Sequence, residues 1–211
     1  LSNNDGCIIA RSSEARALGI KMGQPYFKIR RELEAIGATV LSSNYALYGD
    51  MSQRLMSLLA DNCDQLEIYS IDEAFAKIST PSPYSLHSWA SQLRALIYKN
   101  LGITISIGIG ASKVQAKIAN HLAKRLVEHA GIFDLLSTTN QNFWLESVDI
   151  ENVWGIGRKL SRWCRIRGIN NAQQLLNTPI NELHRKMGIT GIRLQNELQG
   201  QSCIPVAIAQ P

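Results

Sequence analysis

Strand-like and helix-like segments alternate along the first two thirds of the chain, whereas strand-like segments disappear from about residue 139. Four segments have the alternating or β-branched composition of strands: ATVLS (38–42), QLEIYSI (65–71), AFAKIS (74–79) and ITISIGIG (103–110). Helices are predicted in EARALG (14–19), NYALYGDMSQRLMSLLADNC (44–63), LHSWASQLRALIYKN (86–100) and SKVQAKIANHLAKRL (112–126). This order predicts an α/β fold, with a mixed or antiparallel sheet covered by helices, followed by a small all-α part.

Apolar side chains recur at helical spacing in two of these segments, which predicts the faces that are buried. One face carries Leu47, Met51, Leu55, Leu58 and Leu59, and the other carries Leu86, Trp89, Leu93, Leu96 and Ile97. Helix starts are marked by serines, because a serine hydroxyl caps free backbone N–H groups. We expect Ser12 or Ser13 to cap the first helix and Ser112 to cap the last of the four.

Two adjacent carboxylates, Asp72 and Glu73, lie between the second and third predicted strands, in YSIDEAF (69–75). Charge in such an apolar stretch costs free energy unless a partner compensates it. Turns favour aspartate, so both groups can simply be solvated in a hairpin turn. Alternatively, paired carboxylates on rigid strands bind Mg²⁺, which takes one or two protein carboxylates and completes its shell with water and substrate phosphates.

A second candidate site is the segment IENVWGIGRKL (150–160), whose spacing of apolar residues and glycines matches a helix-hairpin-helix. Gly155 and Gly157 permit a tight turn, and the first amides of the next helix face an anion such as a DNA phosphate. The candidate DNA contacts beside these glycines are Arg158, Lys159 and Arg162, followed by Arg165 and Arg167. A plain helical hairpin with a glycine-rich turn is the alternative interpretation.

Charge supports the DNA interpretation. The net charge is +5, yet residues 154–194 contain eight Lys or Arg residues against one acid, Glu182, so the rest of the chain has a net charge of −2. A basic partner surface is therefore expected near the C-terminus, where it would contact the phosphate backbone without reading base sequence.

Other patterns exclude several classes of function. GIGASK (108–113) lacks the spacing of a nucleotide-binding P-loop, and Lys113, Lys117 and Lys124 along the following helix are typical of a solvated basic face. The four cysteines and four histidines form neither a C-x-x-C pair nor a zinc spacing, so we expect reduced cysteines in a cytoplasmic protein. The most apolar stretch is far too short to span a membrane. The chain opens with Leu1 and shows no signal-peptide pattern, so we expect its true N-terminus to lie upstream.

Four motifs in one order resemble a known family. SSNYALYGDMS (42–52), EIYSIDEAF (67–75), SIGIGASKVQAKIANHLAK (106–124) and VWGIGRKL (153–160) are similar to the Y-family translesion DNA polymerases, and among them to UmuC-like catalytic subunits of bacterial SOS mutagenesis polymerases. The resemblance implies fingers in residues 1–43, palm in 44–138, and thumb in 139–211 with the start of a linker to an absent little finger.

The resemblance also implies roles for individual residues. Asp72 and Glu73 match palm acids that hold two Mg²⁺ ions in the two-metal scheme. Arg16 in the fingers and Lys124 in the palm match residues that contact the dNTP triphosphate, whereas Ser13 stands where many relatives have a tyrosine. A third metal-binding aspartate and an aromatic residue that excludes ribonucleotides would precede Leu1. We therefore expect weak metal affinity and negligible turnover from this chain alone.

The partners implied by the resemblance are damaged primer-template DNA, dNTP, the processed SOS accessory subunit, the RecA filament and the sliding clamp, with no membrane. An alternative function is a DNA-binding module without chemistry, which would use only the basic helix-hairpin-helix. Nucleotide cyclases also have acidic hairpins in a similar palm, but the helix-hairpin-helix argues against that class.

Overall fold

The computed structural model describes residues 1–79 and 83–207. The chain divides into two compact units, Leu1–Met51 and Ser52–Pro211. Its mixture of helices and small sheets confirms the predicted α/β class. The boundaries predicted at residues 43 and 138 stay predictions, and residues 208–211 of the predicted thumb lie outside the described residues.

The first unit contains two helices, α1 (Ser13–Ala17) and α2 (Tyr26–Ala35), and the start of α3 (Tyr45–Ala60). Ser12 caps α1 as predicted, because its hydroxyl accepts a hydrogen bond from the Ala15 backbone N–H at 3.2 Å. Ile8, Ile29 and Leu33 form the small buried core of this unit.

The strand predicted at residues 38–42 was wrong. These residues form no sheet ladder. The N-terminal ammonium of Leu1 donates to the Leu41 carbonyl at 2.5 Å, and the Ser43 N–H donates to the Leu1 carbonyl at 3.0 Å. Val40 packs against the small core instead. The β-branched Val40 of this segment therefore contributes to a local core and not to strand pairing.

The described residues of the second unit form two separate two-stranded sheets, where the sequence predicted one sheet. In the first sheet, β1 (Gln65–Ile68) pairs antiparallel with β2 (Ala74–Lys77). The chain continues through α4 (Pro83–Leu101), β3 (Ile107–Ile109), α5 (Lys113–Arg125) and β4 (Ile132–Asp134). Strands β3 and β4 pair in parallel and form the second sheet. A 3₁₀ turn, Val127–His129, connects α5 to β4.

Helix α5 lies directly on β3, and glycine allows this close approach. A Cβ atom on Gly108 would lie 2.0 Å from the Asn120 backbone nitrogen, so no side chain fits at this position. The side chain of Asn120 in α5 also stabilises this helix–strand contact, since its Nδ2 donates to the Ser106 carbonyl just before β3 at 2.7 Å. Ser112 caps α5 as predicted.

The predicted apolar faces of α3 and α4 are mostly correct. Leu55, Leu93 and Ile97 are buried in one cluster, and Leu58, Leu59 and Trp89 pack against it. Leu47 was assigned wrongly, because it is 51% exposed. It lies in the first turn of α3, ahead of the buried part of that helix.

From residue 139 the described residues form helices and turns but no strand, as predicted. The helices are α6 (Gln141–Glu146), α7 (Arg158–Ile166), α8 (Ala172–Leu176), α9 (Ile180–Met187) and α10 (Ile189–Leu198), with a 3₁₀ turn at Ile150–Asn152. One hydrophobic core runs from Val114 and Ile118 of α5 through Phe133 of β4 to Leu183 and Leu198. Among the described residues, no helix is long and apolar enough to cross a membrane.

Candidate functional site

The two acids lie in the turn between β1 and β2, as predicted. The backbone N–H groups of Tyr69 and Ser70 both donate to the Glu73 carbonyl, at 2.9 and 3.0 Å, and close the turn. The Ser70 hydroxyl donates to Asp72 Oδ1 at 2.7 Å, and Asp72 is exposed to solvent. Ser52 of α3 donates its hydroxyl to the Ile71 carbonyl at 2.6 Å. The turn that carries the acids is therefore fixed both internally and by a neighbouring helix.

The compensating partner of Glu73 is a lysine. Lys117 Nζ lies 2.9 Å from each carboxylate oxygen of Glu73. The side chains are 24% exposed for Lys117 and 34% for Glu73, so the pair is half-buried. Lys117 also lies 5.5 Å from the centre of the Tyr69 ring, which is within the range of a cation–π contact.

A second lysine and glutamate repeat this arrangement one helical turn earlier. The Lys113 ammonium pairs with Glu67 of β1 and lies 4.9 Å from the centre of the Phe75 ring. The Ala207 backbone N–H also donates to the Glu67 carboxylate. Burial alone would raise the pKa of Glu67, but the hydrogen bonds from Lys113 and Ala207 outweigh it and hold the pKa below its ordinary value.

This shift predicts an acid-sensitive contribution to stability. Because the folded-state pKa of Glu67 lies below its unfolded value, its contribution is fully present above the unfolded pKa and is lost as pH falls through the folded pKa. The native protein should lose unfolding free energy as the pH falls below 4.5, the ordinary pKa of a glutamate. We expect this loss to be smaller in Glu67→Gln. Urea unfolding at a series of pH values measures this, with exposed Glu146→Gln as control. Equal acid dependence in all three proteins would contradict the prediction.

Three aromatic rings join the acidic turn to the helix-hairpin-helix segment. The ring centres of Tyr69, Phe75 and Trp154 are 5.6 to 5.9 Å apart. Trp154 Nε1 donates to the Tyr69 hydroxyl at 3.1 Å. Since Trp154 directly precedes Gly155, the acids and the glycine turn lie at neighbouring positions in one compact unit.

The glycine turn has the geometry that the motif predicts. Gly155 has φ +94°, in the left-handed region that favours glycine. Gly157 is the N-cap residue of α7 and supplies no capping side chain. The first N–H groups of a helix have no partner within the helix, so those of α7 are suited to bind a phosphate oxygen.

The structure divides the basic residues after this turn into two sets. Arg158, Lys159 and Arg162 are exposed and make no ion pair within the described part of the chain. Arg165 instead pairs with Asp149 at 2.8 Å, and Arg167 pairs with Glu182 at 2.8 Å. Arg167 also lies 4.3 Å from the centre of the Trp163 ring. The first three are therefore available for an external anion, whereas the other two are paired within the chain.

The two residues predicted to bind triphosphate lie in different units. Lys124 is exposed in the last turn of α5, seven residues beyond Lys117, which places it about 10 Å further along the same helix face. Arg16 is exposed in the last turn of α1, in the first unit, as is Ser13 at the start of that helix. The structure thus lines Lys117 and Lys124 along one face of α5, and Arg16 belongs to the other compact unit.

The acids alone supply an incomplete set of metal ligands. Within residues 1–79 and 83–207, no three His, Cys, Asp or Glu side chains are grouped to hold a metal ion. Asp72 and Glu73 provide two carboxylates, which is the number Mg²⁺ accepts when substrate phosphates and water complete its shell. The two carboxylates are therefore compatible in number with a Mg²⁺ ion whose remaining ligands come from outside the chain.

Sequence patterns missed Lys117, Tyr69 and Trp154 as part of this site. Lys113 and Lys117 were interpreted as a solvated basic face, but both face carboxylates of the hairpin. No local signal in the sequence identifies these pairs, because Lys117 and Glu73 lie 44 residues apart.

The solved structures that we compare with this chain are Y-family DNA polymerases. A Y-family DNA polymerase chimera matches with a TM-score of 0.81 and 26% identity, over 99% of this chain and 60% of the chimera. An insertion ternary complex of Dbh DNA polymerase matches with a TM-score of 0.76 and 26% identity, over 92% of this chain and 56% of that one.

Sequence comparison identifies the family. Protein UmuC of Salmonella typhimurium strain LT2 is 38% identical over 206 residues, which are 97% of this chain and 49% of UmuC. Residues 1–121 match the model of the impB/mucB/samB family, and the chain belongs to this family. It spans about half the length of the curated relatives that it matches.

Proposed function

We propose that this chain forms the core of a DNA-directed DNA polymerase of the error-prone translesion class, which acts in SOS DNA repair. The observation that carries the proposal is the contact between the acidic turn and the glycine turn through Tyr69 and Trp154. This contact places two carboxylates suited to a divalent metal beside a turn suited to DNA phosphate. A polymerase needs both, because it binds catalytic metals and holds the DNA backbone.

Asp72 and Glu73 are the proposed ligands of the catalytic metals, for which Mg²⁺ is the expected ion. When bound, Mg²⁺ would neutralise the triphosphate charge and activate the primer hydroxyl. Lys124 and Arg16 are proposed to bind the triphosphate, since a positive charge stabilises the negative charge that develops on the leaving pyrophosphate. The α7 amides, with Arg158, Lys159 and Arg162, would hold the DNA backbone.

The proposed substrates are damaged primer-template DNA and dNTP. The similar solved structures support this, since they are DNA polymerases and one of them is a ternary complex. Membership of the impB/mucB/samB family supports the further proposal that the protein acts in the cytoplasm with the processed SOS accessory subunit, the RecA filament and the sliding clamp.

Primer extension tests the proposal. Because the chain spans about half of UmuC, the test uses an extended chain, which is this chain joined at both ends to the corresponding flanking segments of UmuC. We expect the extended chain to add a nucleotide to a primer in Mg²⁺ and to stop when EDTA is present. DNA binding without extension in either condition would instead favour a binding module without chemistry.

The DNA-binding role predicts a specific salt dependence. Replacing Arg158, Lys159 and Arg162 together by alanine should weaken duplex binding and reduce the slope of log affinity against log salt by up to about 3, because each phosphate contact contributes about 0.9. Fluorescence anisotropy at several salt concentrations measures both quantities. The matched control replaces Arg165 and Arg167, whose charges are paired internally. An equal loss of slope in the control would contradict the assignment.

A further inference from the structure

The two proposed metal ligands differ in how their carboxylate oxygens are engaged. Asp72 is exposed, and its Oδ1 accepts a hydrogen bond from a neutral serine hydroxyl. Both oxygens of Glu73 face the Lys117 ammonium at 2.9 Å. A divalent cation binds through these same oxygens. Metal and ammonium therefore compete for Glu73 but not for Asp72.

Lys117 has a second partner close to the first. Its ammonium lies 5.5 Å from the centre of the Tyr69 ring, and this face of the ring attracts a cation. Trp154 donates to the Tyr69 hydroxyl and packs against the ring at 5.9 Å, so the ring is held in place. An ammonium displaced from Glu73 can therefore retain a favourable contact without crossing the site.

We propose that Lys117 is the internal counter-cation of Glu73, which holds this carboxylate in place until a divalent metal displaces the ammonium. The inference rests on the proposed function, because it takes Asp72 and Glu73 as metal ligands. Lys117 acts through Glu73 and is a positioning residue. It keeps the half-buried carboxylate compensated in the absence of metal, and it lowers the affinity of the site for metal until a nucleotide adds its phosphates as further ligands.

Two variants of Lys117 separate its charge from its bulk. Lys117→Met removes the competing ammonium and keeps an unbranched side chain, so we expect Mn²⁺ to bind about fivefold more tightly, the size of a half-exposed ion pair. Lys117→Arg keeps a cation that can pair with Glu73, so the affinity should stay near that of the native chain. Lys113→Met is the matched control, because Lys113 lies one turn away and pairs with Glu67 in the same manner.

The experiment is a Mn²⁺ titration of the extended chain, with and without each substitution and in the absence of DNA and nucleotide. The electron paramagnetic resonance signal of free Mn²⁺ reports binding. Each variant is first checked for native helix content and thermal unfolding. The series is repeated in a Glu73→Gln background, where Lys117→Met should no longer change the affinity, because there is no carboxylate to release. Tighter binding in Lys117→Met alone, abolished by Glu73→Gln, is the expected result.

The other outcomes overturn different statements. Equal Mn²⁺ affinity in the native chain and Lys117→Met would overturn the competition and leave the metal site intact. The same gain in Lys113→Met would show a general effect of charge and would also overturn it. If neither the native chain nor Lys117→Met binds Mn²⁺, the metal site itself fails, and the counter-cation role fails with it.

Discussion

Asp72→Ala in the extended chain is expected to reduce primer extension at least about a thousandfold while DNA affinity is retained. A metal bound at a phosphoryl-transfer site contributes several kcal/mol of transition-state stabilisation, and about 4 kcal/mol corresponds to this factor. Asp72 is the more exposed of the two acids, and its carboxylate has a serine hydroxyl and no internal cation as its described partner. Its removal therefore deletes a metal ligand with little effect on the fold.

Single-turnover extension with saturating dNTP and Mg²⁺ measures the loss, and anisotropy on the same primer-template measures DNA affinity. The matched control is Asp61→Ala, an exposed aspartate just beyond the end of α3. This control should retain native extension. Extension by Asp72→Ala at a rate comparable to the control would overturn the role assigned to Asp72, even if the family assignment stands.

Local patterns in the sequence predicted the elements that carry both parts of the site. The alternation in QLEI and the turn-forming acids predicted the β1–β2 hairpin, because strand pairing over so short a loop depends on adjacent residues. The glycines of VWGIG predicted the turn before α7, since few residues other than glycine adopt the backbone conformation of Gly155. In both cases the determining interactions lie within a few residues.

Long-range partners decided the features that were missed. Glu73 and Lys117 are 44 residues apart, and no local pattern states which lysine a half-buried acid meets. Residues 38–42 have strand composition, but the Leu41 carbonyl accepts from the Leu1 ammonium and the Ala38 N–H donates to the Leu33 carbonyl. Strand β4 has only three residues, which is too short for a periodicity to be recognised, and it is defined by its pairing with β3.

The same reason explains the division among the arginines after the glycine turn. Arg158, Arg162, Arg165 and Arg167 all add positive charge after the glycine turn, and of these four the predicted DNA contacts were Arg158 and Arg162. Their roles differ because Asp149 lies beside Arg165 and Glu182 beside Arg167 in the folded chain. A count of charges predicts a basic surface, but only the tertiary pairing shows which charges are available to a partner.

A buried glutamate ties α10 to the start of α5. Glu197 is fully buried, at 0% exposure. Its carboxylate accepts hydrogen bonds from the backbone N–H groups of Val114 at 3.2 Å, Cys203 at 2.6 Å and Ile204 at 3.0 Å. The Ser112 hydroxyl donates to its backbone carbonyl at 2.5 Å. One side chain thus satisfies N–H groups at the start of α5 and in the segment after α10.

Glu197→Ala is expected to lower the free energy of unfolding by about 3 kcal/mol or more, because three N–H groups lose their acceptor inside the fold. Glu197→Gln keeps one acceptor oxygen and should lose less. Urea unfolding measures both, with Glu146→Ala as control, since Glu146 is exposed on α6. A loss below about 1 kcal/mol would show that water replaces the carboxylate. Helix α5 carries Lys117 and Lys124. That result would therefore also show that Glu197 does not hold this helix beside the acidic turn.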